Sequence, residues 1–290
     1  MGLLLITAVI WGGGFVAQRM AMDQMGPFLF NGYRFFLGAI TLLPLMLVRK
    51  RQHTADDLPW KKTILIGISA GFLLFFGATF QQLGLVYTTA GKAGFITGLY
   101  VIIVPLLGML WGDQAPWNTW IGAILAVLGL YFLSAIEGLR IALGDGYVLL
   151  GAFFWAGHVQ LLARYAPRMD AIRLSFVQAL FTSLLSLGVG FIQESFEPAV
   201  IVAAAWPIFY GGVISIGIAY TMQVIAQQSA RPTPAAIILS LESVFAALWG
   251  WLFLGELFNP RGWGGSLLML SGMVIAQFNL GRIRDRSPKA

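Results

Sequence analysis

Residues 63–85 read TILIGISAGFLLFFGATFQQLGL, and this stretch decides the class of fold. It contains no Asp, Glu, Lys or Arg, and the charge-free run continues to residue 91. Its length suits the roughly 20 apolar residues that a helix needs to cross a bilayer core. Working outward, residues 93–112, 114–136, 174–193, 198–230 and 262–281 are equally free of charge. A soluble chain of 290 residues must wet its surface and cannot bury so many such runs. Only 10% of the residues are charged and 58% are hydrophobic, against about 25% charged in typical soluble domains. A soluble enzyme, a nucleic-acid binder and a disordered chain are excluded together. The net charge of +6 reads as short basic loops at a membrane edge. The chain has no cysteine and two histidines, His53 and His158. Disulfides, thiolate metal sites and cysteine nucleophiles are therefore excluded, and neither a metal nor a cofactor is expected.

The pattern predicts an all-α membrane protein of ten transmembrane helices, since a spanning helix satisfies its own backbone hydrogen bonds. They run over about 3–21, 28–48, 63–85, 92–111, 117–135, 145–165, 171–192, 203–225, 234–254 and 262–281. The ten-residue alternation of a β-barrel is not visible. Residues 3–18 lack a basic leader and a small-residue cleavage site, and read as the first permanent span. With the N-terminus in the cytoplasm, that side holds thirteen Lys/Arg: five within 49–62, then Arg164, Arg168, Arg173, Arg231, and four in the tail after residue 281. The other side holds five: Arg19, Arg34, Lys92, Arg140 and Arg261. The positive-inside rule then places both termini in the cytoplasm.

The two parts of the chain echo each other. Trp120, Gly122 and Gly129 recur as Trp263, Gly265 and Gly272, and Gly112–Asp113 recurs as Gly255–Glu256, all at an offset of 143. Ala8, Trp11 and Gly13 recur as Ala152, Trp155 and Gly157 at an offset of 144. The expected division is 1–137 and 138–290, five spans each. An odd number of spans makes the second part enter from the opposite side. Such inverted repeats are a signature of secondary transporters, with the substrate site near the midplane between the halves.

The run Leu241-Glu-Ser-Val-Phe-Ala-Ala-Leu-Trp-Gly-Trp-Leu-Phe-Leu-Gly-Glu256 resembles the EamA signature of the drug/metabolite transporter superfamily. The segment from Tyr100 to Trp111-Gly-Asp113 is a weaker first-half counterpart, and Ala8-Val-Ile-Trp-Gly-Gly-Gly-Phe15 is similar to the family's opening segment. Ser243 stands where that family commonly has Pro, and Leu99 or Tyr100 where its first half can have Glu. The chain is most similar to bacterial amino-acid and metabolite exporters of the aromatic amino acid and paraquat type. The resemblance implies two inverted five-helix units, and a cavity lined by the first helix of each.

Within the spans, Glu242 is the one deeply placed acid, about 12 Å along its helix from Pro234. Ionisable groups at such depth default to function. Proton coupling or contact with an amino group is one reading, and a structural carboxyl is the other. Trp11 and Trp155 are placed symmetrically, and His158 shares the helical face of Trp155. Indoles facing a cavity bind flat apolar or cationic groups by stacking and cation–π attraction. Tyr33, Gln82, Tyr100, Gln178 and Tyr220, with Gln81, Gln160 and Gln223, add neutral hydrogen-bonding groups that grip a zwitterion or tie helices together. Pro105 is a candidate hinge. Gly67 with Gly71, and Gly108 with Gly112, have the spacing of close helix contacts.

Arg34 lies a few residues into its span and is expected to snorkel outward. With Lys92 and Arg173 at helix starts and Arg19 at a helix end, the expected cavity is polar, aromatic and nearly uncharged. A phosphate substrate is then disfavoured. Together these residues lead to a non-enzymatic secondary transporter of the bacterial inner membrane. The resemblance points it to export of amino acids, neutral or aromatic ones foremost, and related small metabolites. A monomer suffices, and the partners are substrate and bilayer, with no nucleic acid. A lipid-linked carrier or flippase and an exporter of cationic drugs are the alternatives.

Overall fold

The computed structural model describes residues 1–48, 58–113, 115–134, 143–195, 197–256 and 260–277. The expected boundary at 137/138, Arg140, the basic residues 49–51 and the basic tail lie outside them. The described residues are helical, with no strand. The first part comprises α1 (Gly2–Met22), α2 (Pro27–Val48), α3 (Trp60–Leu85), α4 (Ala90–Gly98), α5 (Tyr100–Leu110) and α6 (Trp117–Ser134). Then come α7 (Leu143–Tyr165), a 3-10 turn (Ala166–Arg168), α8 (Ala171–Gln193), and short α9 (Pro198–Ala203) and α10 (Ala205–Phe209). A π-helix (Tyr210–Tyr220) leads into α11 (Thr221–Gln227), followed by α12 (Pro232–Leu239), α13 (Glu242–Leu254) and α14 (Pro260–Gln277).

Among the described residues, eight helical stretches are long and apolar enough to cross a membrane. They are α1, α2, α3, α4 with α5, α7, α8, α10 through α11, and α12 with α13. The outer surface suits lipid: Leu110, Ile192 and Val202 are each more than three-quarters exposed. Polar groups turn inward and tie helices together. The Thr182 hydroxyl donates to the Gly71 carbonyl at 2.9 Å, and the Ser183 hydroxyl to Gly32 at 2.9 Å.

The packing carries the twofold echo seen in the sequence. α2 packs along α8 and α6 along α14, while α3 lies against α7 and α8 as the π-helix lies against α1 and α2. The repeated glycines form the α6–α14 crossing. A Cβ on Gly129 would stand 2.4 Å from the Gly265 carbonyl oxygen, and one on Gly272 2.5 Å from that of Gly122. Gly112 and Gly255 both have left-handed φ, +83° and +67°, which favours glycine where these helices turn off. Gly112 thus serves a turn, not the close helix contact expected of it.

Two expected spans, 92–111 and 234–254, are interrupted midway. Leu99 N–H donates to Ile96 O at 3.2 Å, and Leu241 N–H to Ile238 O at 3.2 Å. Ile102 to Leu99 and Val244 to Leu241 follow in the same pattern. These three-residue bonds tighten the helix locally, at matching positions in the two parts. The first interruption falls at Leu99, while α5 runs unbroken through Pro105.

Candidate functional site

The interruptions meet at a central cavity, because Tyr100 and Glu242 each begin the helix beyond one of them. α1 contributes Trp11, Phe15 and Gln18, which share one face at i, i+4 and i+7. α7 contributes Trp155, His158 and Val159 on the same principle. Arg34 of α2, Gln81 of α3, Thr97 of α4 and Leu239 of α12 complete the wall, with Ser215, Tyr220 and Gln223 of the π-helix and α11. Helices from both parts of the chain therefore share one cavity. Its volume is about 40 Å³, room for a few molecules of water size at ~10–15 Å³ each. Anything larger requires the wall to rearrange.

Aromatic rings dominate one region of the wall. The Tyr220 ring centre is 4.6 Å from Trp11 and 6.1 Å from both Trp155 and His158. The Trp155 indole N–H donates to Gln81 Oε1 at 3.0 Å, and its ring lies where a Cβ on Gly77 would be, at 3.1 Å. Gln81 Nε2 donates in turn to Gln18 Oε1 at 3.0 Å, which links α7, α3 and α1. The π-helix leaves the Ser215 carbonyl facing the Trp11 indole N–H, at 3.4 Å.

Arg34 corrects the expectation that it snorkels outward. It is 4% exposed and lines the cavity. Its guanidinium lies 5.2 Å from the ring centres of both Phe30 and Phe35, and Nε donates to Asn31 Oδ1 at 3.0 Å. These neighbours hold it inward. Glu242, equally 4% exposed, stands in the first turn of α13, where the helix dipole favours a carboxylate. Tyr100 and Tyr220 line the same cavity, and the Tyr100 hydroxyl has no hydrogen-bond partner among the described residues. Neither charge has an ion-pair partner among the described residues. The cavity therefore carries an ionisable side chain at two places, and the absence of a buried cation no longer argues against phosphate.

The structure brings Trp11, Tyr100, Trp155, His158, Tyr220 and Glu242 together on the wall. Three other expected residues stand elsewhere. Gln178 lies behind the wall and meets His158 Nε2 at 3.0 Å. Gln82 is fully buried and donates to the Gln18 backbone carbonyl at 3.1 Å, tying α3 to α1. Tyr33 lines a separate hollow near the α1–α2 turn, with Asp23 and Glu194. Its position one residue from Arg34 turns it about 100° around the helix. Phe15, Gln18, Thr97, Ser215 and Arg34 were missed. The i, i+4, i+7 spacing from Trp11 was a usable signal for Phe15 and Gln18.

At one end of the bundle, carboxylates cross between the two parts. Glu194, after α8, accepts from the backbone N–H groups of Phe28 and Leu29 at 2.8 Å each, at the start of α2. Glu256, after α13, accepts from Ala90 and Gly91 at 2.9 and 3.0 Å, at the start of α4. Lys92 Nζ and Asp145 Oδ2 pair at 2.8 Å nearby. At the other end Arg164 and Asp113 pair at 3.4 Å. The Ser243 hydroxyl, where the related signature has Pro, donates to the Gly94 carbonyl and joins α13 to α4.

The model of the EamA-like transporter family matches residues 1–135 and again residues 142–277. An Archaeoglobus fulgidus protein called an uncharacterized transporter is 33% identical over 97% of this chain and 86% of its own. A Salmonella typhimurium protein called a probable amino-acid metabolite efflux pump is 24% identical over 97% of this chain and 95% of its own. A solved structure shares the fold with a TM-score of 0.75, at 19% identity, over 95% of each chain.

Proposed function

Because the chain belongs to the EamA-like transporter family, we propose that it exports amino acids, neutral and aromatic ones foremost, and related small metabolites across the bacterial inner membrane. It works as a secondary transporter by alternating access, without covalent chemistry. Ten helices cross the bilayer in this reading: the eight stretches named above, with α6 and α14 as a further packed pair. Residues 1–137 and 138–290 are inverted halves, both termini are cytoplasmic, and one copy of the chain suffices.

The observation that carries the reading is the small central cavity walled by both halves, at the level where two helices are locally tightened. A site too small for a metabolite in this state, on the surface where the halves meet, suits a cycle that widens it toward each side in turn. The wall combines aromatic faces with hydrogen-bonding groups and two opposite charges, which fits a small zwitterion with an apolar side chain. The Salmonella relative's printed name points to the same substrate class. Trp11, Tyr100, Trp155, His158 and Tyr220 contact substrate in this reading. Gln82 and Gln178 support the wall, and Tyr33 stands toward the outer hollow. Glu242 is the candidate for coupling to protons. Pro105 and the tightened turn at Leu99 offer flexure in the same span.

The test is uptake of labelled amino acids into liposomes holding the pure protein, with and without an imposed pH gradient. The panel takes aromatic, small neutral, basic and acidic amino acids, with a sugar phosphate for comparison. Saturable uptake of neutral or aromatic amino acids is expected. Folded protein that moves none of them would end the amino-acid reading.

A further inference from the structure

We infer that Arg34 and Glu242 are the two charged poles that recognise the α-carboxylate and α-ammonium groups of a zwitterionic amino acid. The inference rests on the proposed amino-acid transport and assigns its recognition chemistry. Arg34 comes from the first half and Glu242 from the second, so a molecule held by both bridges the halves.

Each of these two buried groups is short of partners. A guanidinium offers five N–H donors in a planar fork. In Arg34, Nε is taken by Asn31, and two aromatic rings flank the group. Its terminal nitrogens make no hydrogen bond to the described residues. That fork is the natural mate of a carboxylate. Glu242 lines the same cavity as an acceptor, with Tyr100. The Gln223 side-chain carbonyl, lining the same cavity and 1% exposed, has no hydrogen-bond partner among the described residues either. Carboxylate and amide carbonyl oxygens together are what an ammonium group binds.

The two charges also restrict what can enter. A buried charge left without a partner is strongly unfavourable. A dianionic phosphate that satisfied Arg34 would face Glu242, and a simple cation that satisfied Glu242 would face Arg34. Only a molecule with both signs answers both residues, which gives specificity by rejection as well as by attraction. The aromatic rings of Trp11, Trp155 and Tyr220 remain for the side chain.

The experiment uses the full-length protein in liposomes and follows uptake of labelled phenylalanine. Phenylalaninamide, which lacks the carboxylate, and N-acetylphenylalanine, which lacks the ammonium, compete with it. On the natural protein each blocked analogue should compete about 10–100-fold more weakly than phenylalanine, the value of a charge-assisted contact. Arg34→Gln should bring the amide to within about 3-fold of phenylalanine and leave the acetyl form excluded, and Glu242→Gln should do the reverse. Thermal stabilisation of the natural protein by the same three compounds should follow the same order and needs no variant. Blocked analogues that compete or stabilise as well as phenylalanine would overturn the assignment while leaving amino-acid transport standing. Absence of uptake of phenylalanine and every other amino acid, with a different solute transported, would remove the amino-acid reading and this inference with it.

Discussion

Replacing Glu256 with Gln, and separately Glu194 with Gln, tests whether the carboxylates that cross between the halves act as a gate. Each accepts two backbone N–H groups at the start of a helix in the other half, at 2.8–3.0 Å. Those N–H groups have no partner inside their own helix, and the helix dipole adds to the attraction. A hydrogen bond to a charged acceptor contributes about 1.5–3 kcal/mol, against about 0.5–1.5 for a neutral one. A Gln keeps one acceptor oxygen and turns an NH2 donor toward the second N–H, so one bond is weakened and the other lost to water; at these partly exposed sites this should cost about 1–2 kcal/mol each. Both sites lie at the end that the proposed orientation puts outside. If that end must part for the cavity to open outward, each replacement favours the outward-open state by about 10-fold or somewhat more. The chain has no cysteine, so a single Thr97→Cys on the cavity wall reports access to a membrane-impermeant maleimide added outside. The labelling rate should rise about 10-fold with either replacement, and the double variant should label faster than either alone. An unchanged rate with a lowered melting temperature would refute the gate, because the caps would then persist through opening as plain structural ties.

Trp155→Phe keeps the ring but removes the N–H that reaches Gln81. Gln81 Oε1 then keeps only the long bond from the Thr97 hydroxyl at 3.5 Å, so stability should fall by about 1 kcal/mol, and a raised KM for amino-acid uptake should accompany it. Gly129→Ala or Gly272→Ala drives a methyl into the facing backbone carbonyl of the α6–α14 crossing, and each should destabilise by about 1–3 kcal/mol in thermal melts. The pair should cost less than the sum, since one methyl already spreads the crossing, and Gly264→Ala, with open space around it, should be neutral or slightly stabilising. Glu242→Gln should abolish any acceleration of uptake by a pH gradient, read in the same liposomes.

That so much of this architecture is legible in the sequence follows from the bilayer itself. A membrane removes water as an alternative partner, so a charge-free run such as 63–85, without the alternation of a barrel strand, can only be a helix. The matching glycines at Gly112 and Gly255, and at Gly129 and Gly272, marked places where backbone geometry or close approach leaves no room for a side chain. What hydropathy could not show was rotation about the helix axis. α2 is apolar on nearly all sides, so depth alone decided the reading of Arg34, and depth near a helix end suggests snorkelling. The direction of its side chain is instead set by Phe30, Asn31 and Phe35, whose joint effect appears only when α2 is packed against its neighbours. The same blindness placed Tyr33 and Gln82 on the cavity wall and left Phe15 and Gln18 off it. The tightened turns at Leu99 and Leu241 were hidden for another reason: their dihedrals stay near the helical region, and Leu and Ser carry no breaker signal. Yet those turns bring Tyr100 and Glu242 to one cavity. Arg34 has no ionic counterpart at the symmetric position, which is occupied by Gln178, and Glu242 has none at Leu99 or Tyr100. The symmetry that organises the fold is thus broken where the charges stand, and each half supplies one sign. A symmetric frame can exchange its two conformations at similar energy, while an asymmetric pair of charges fixes which way round a zwitterion binds between them.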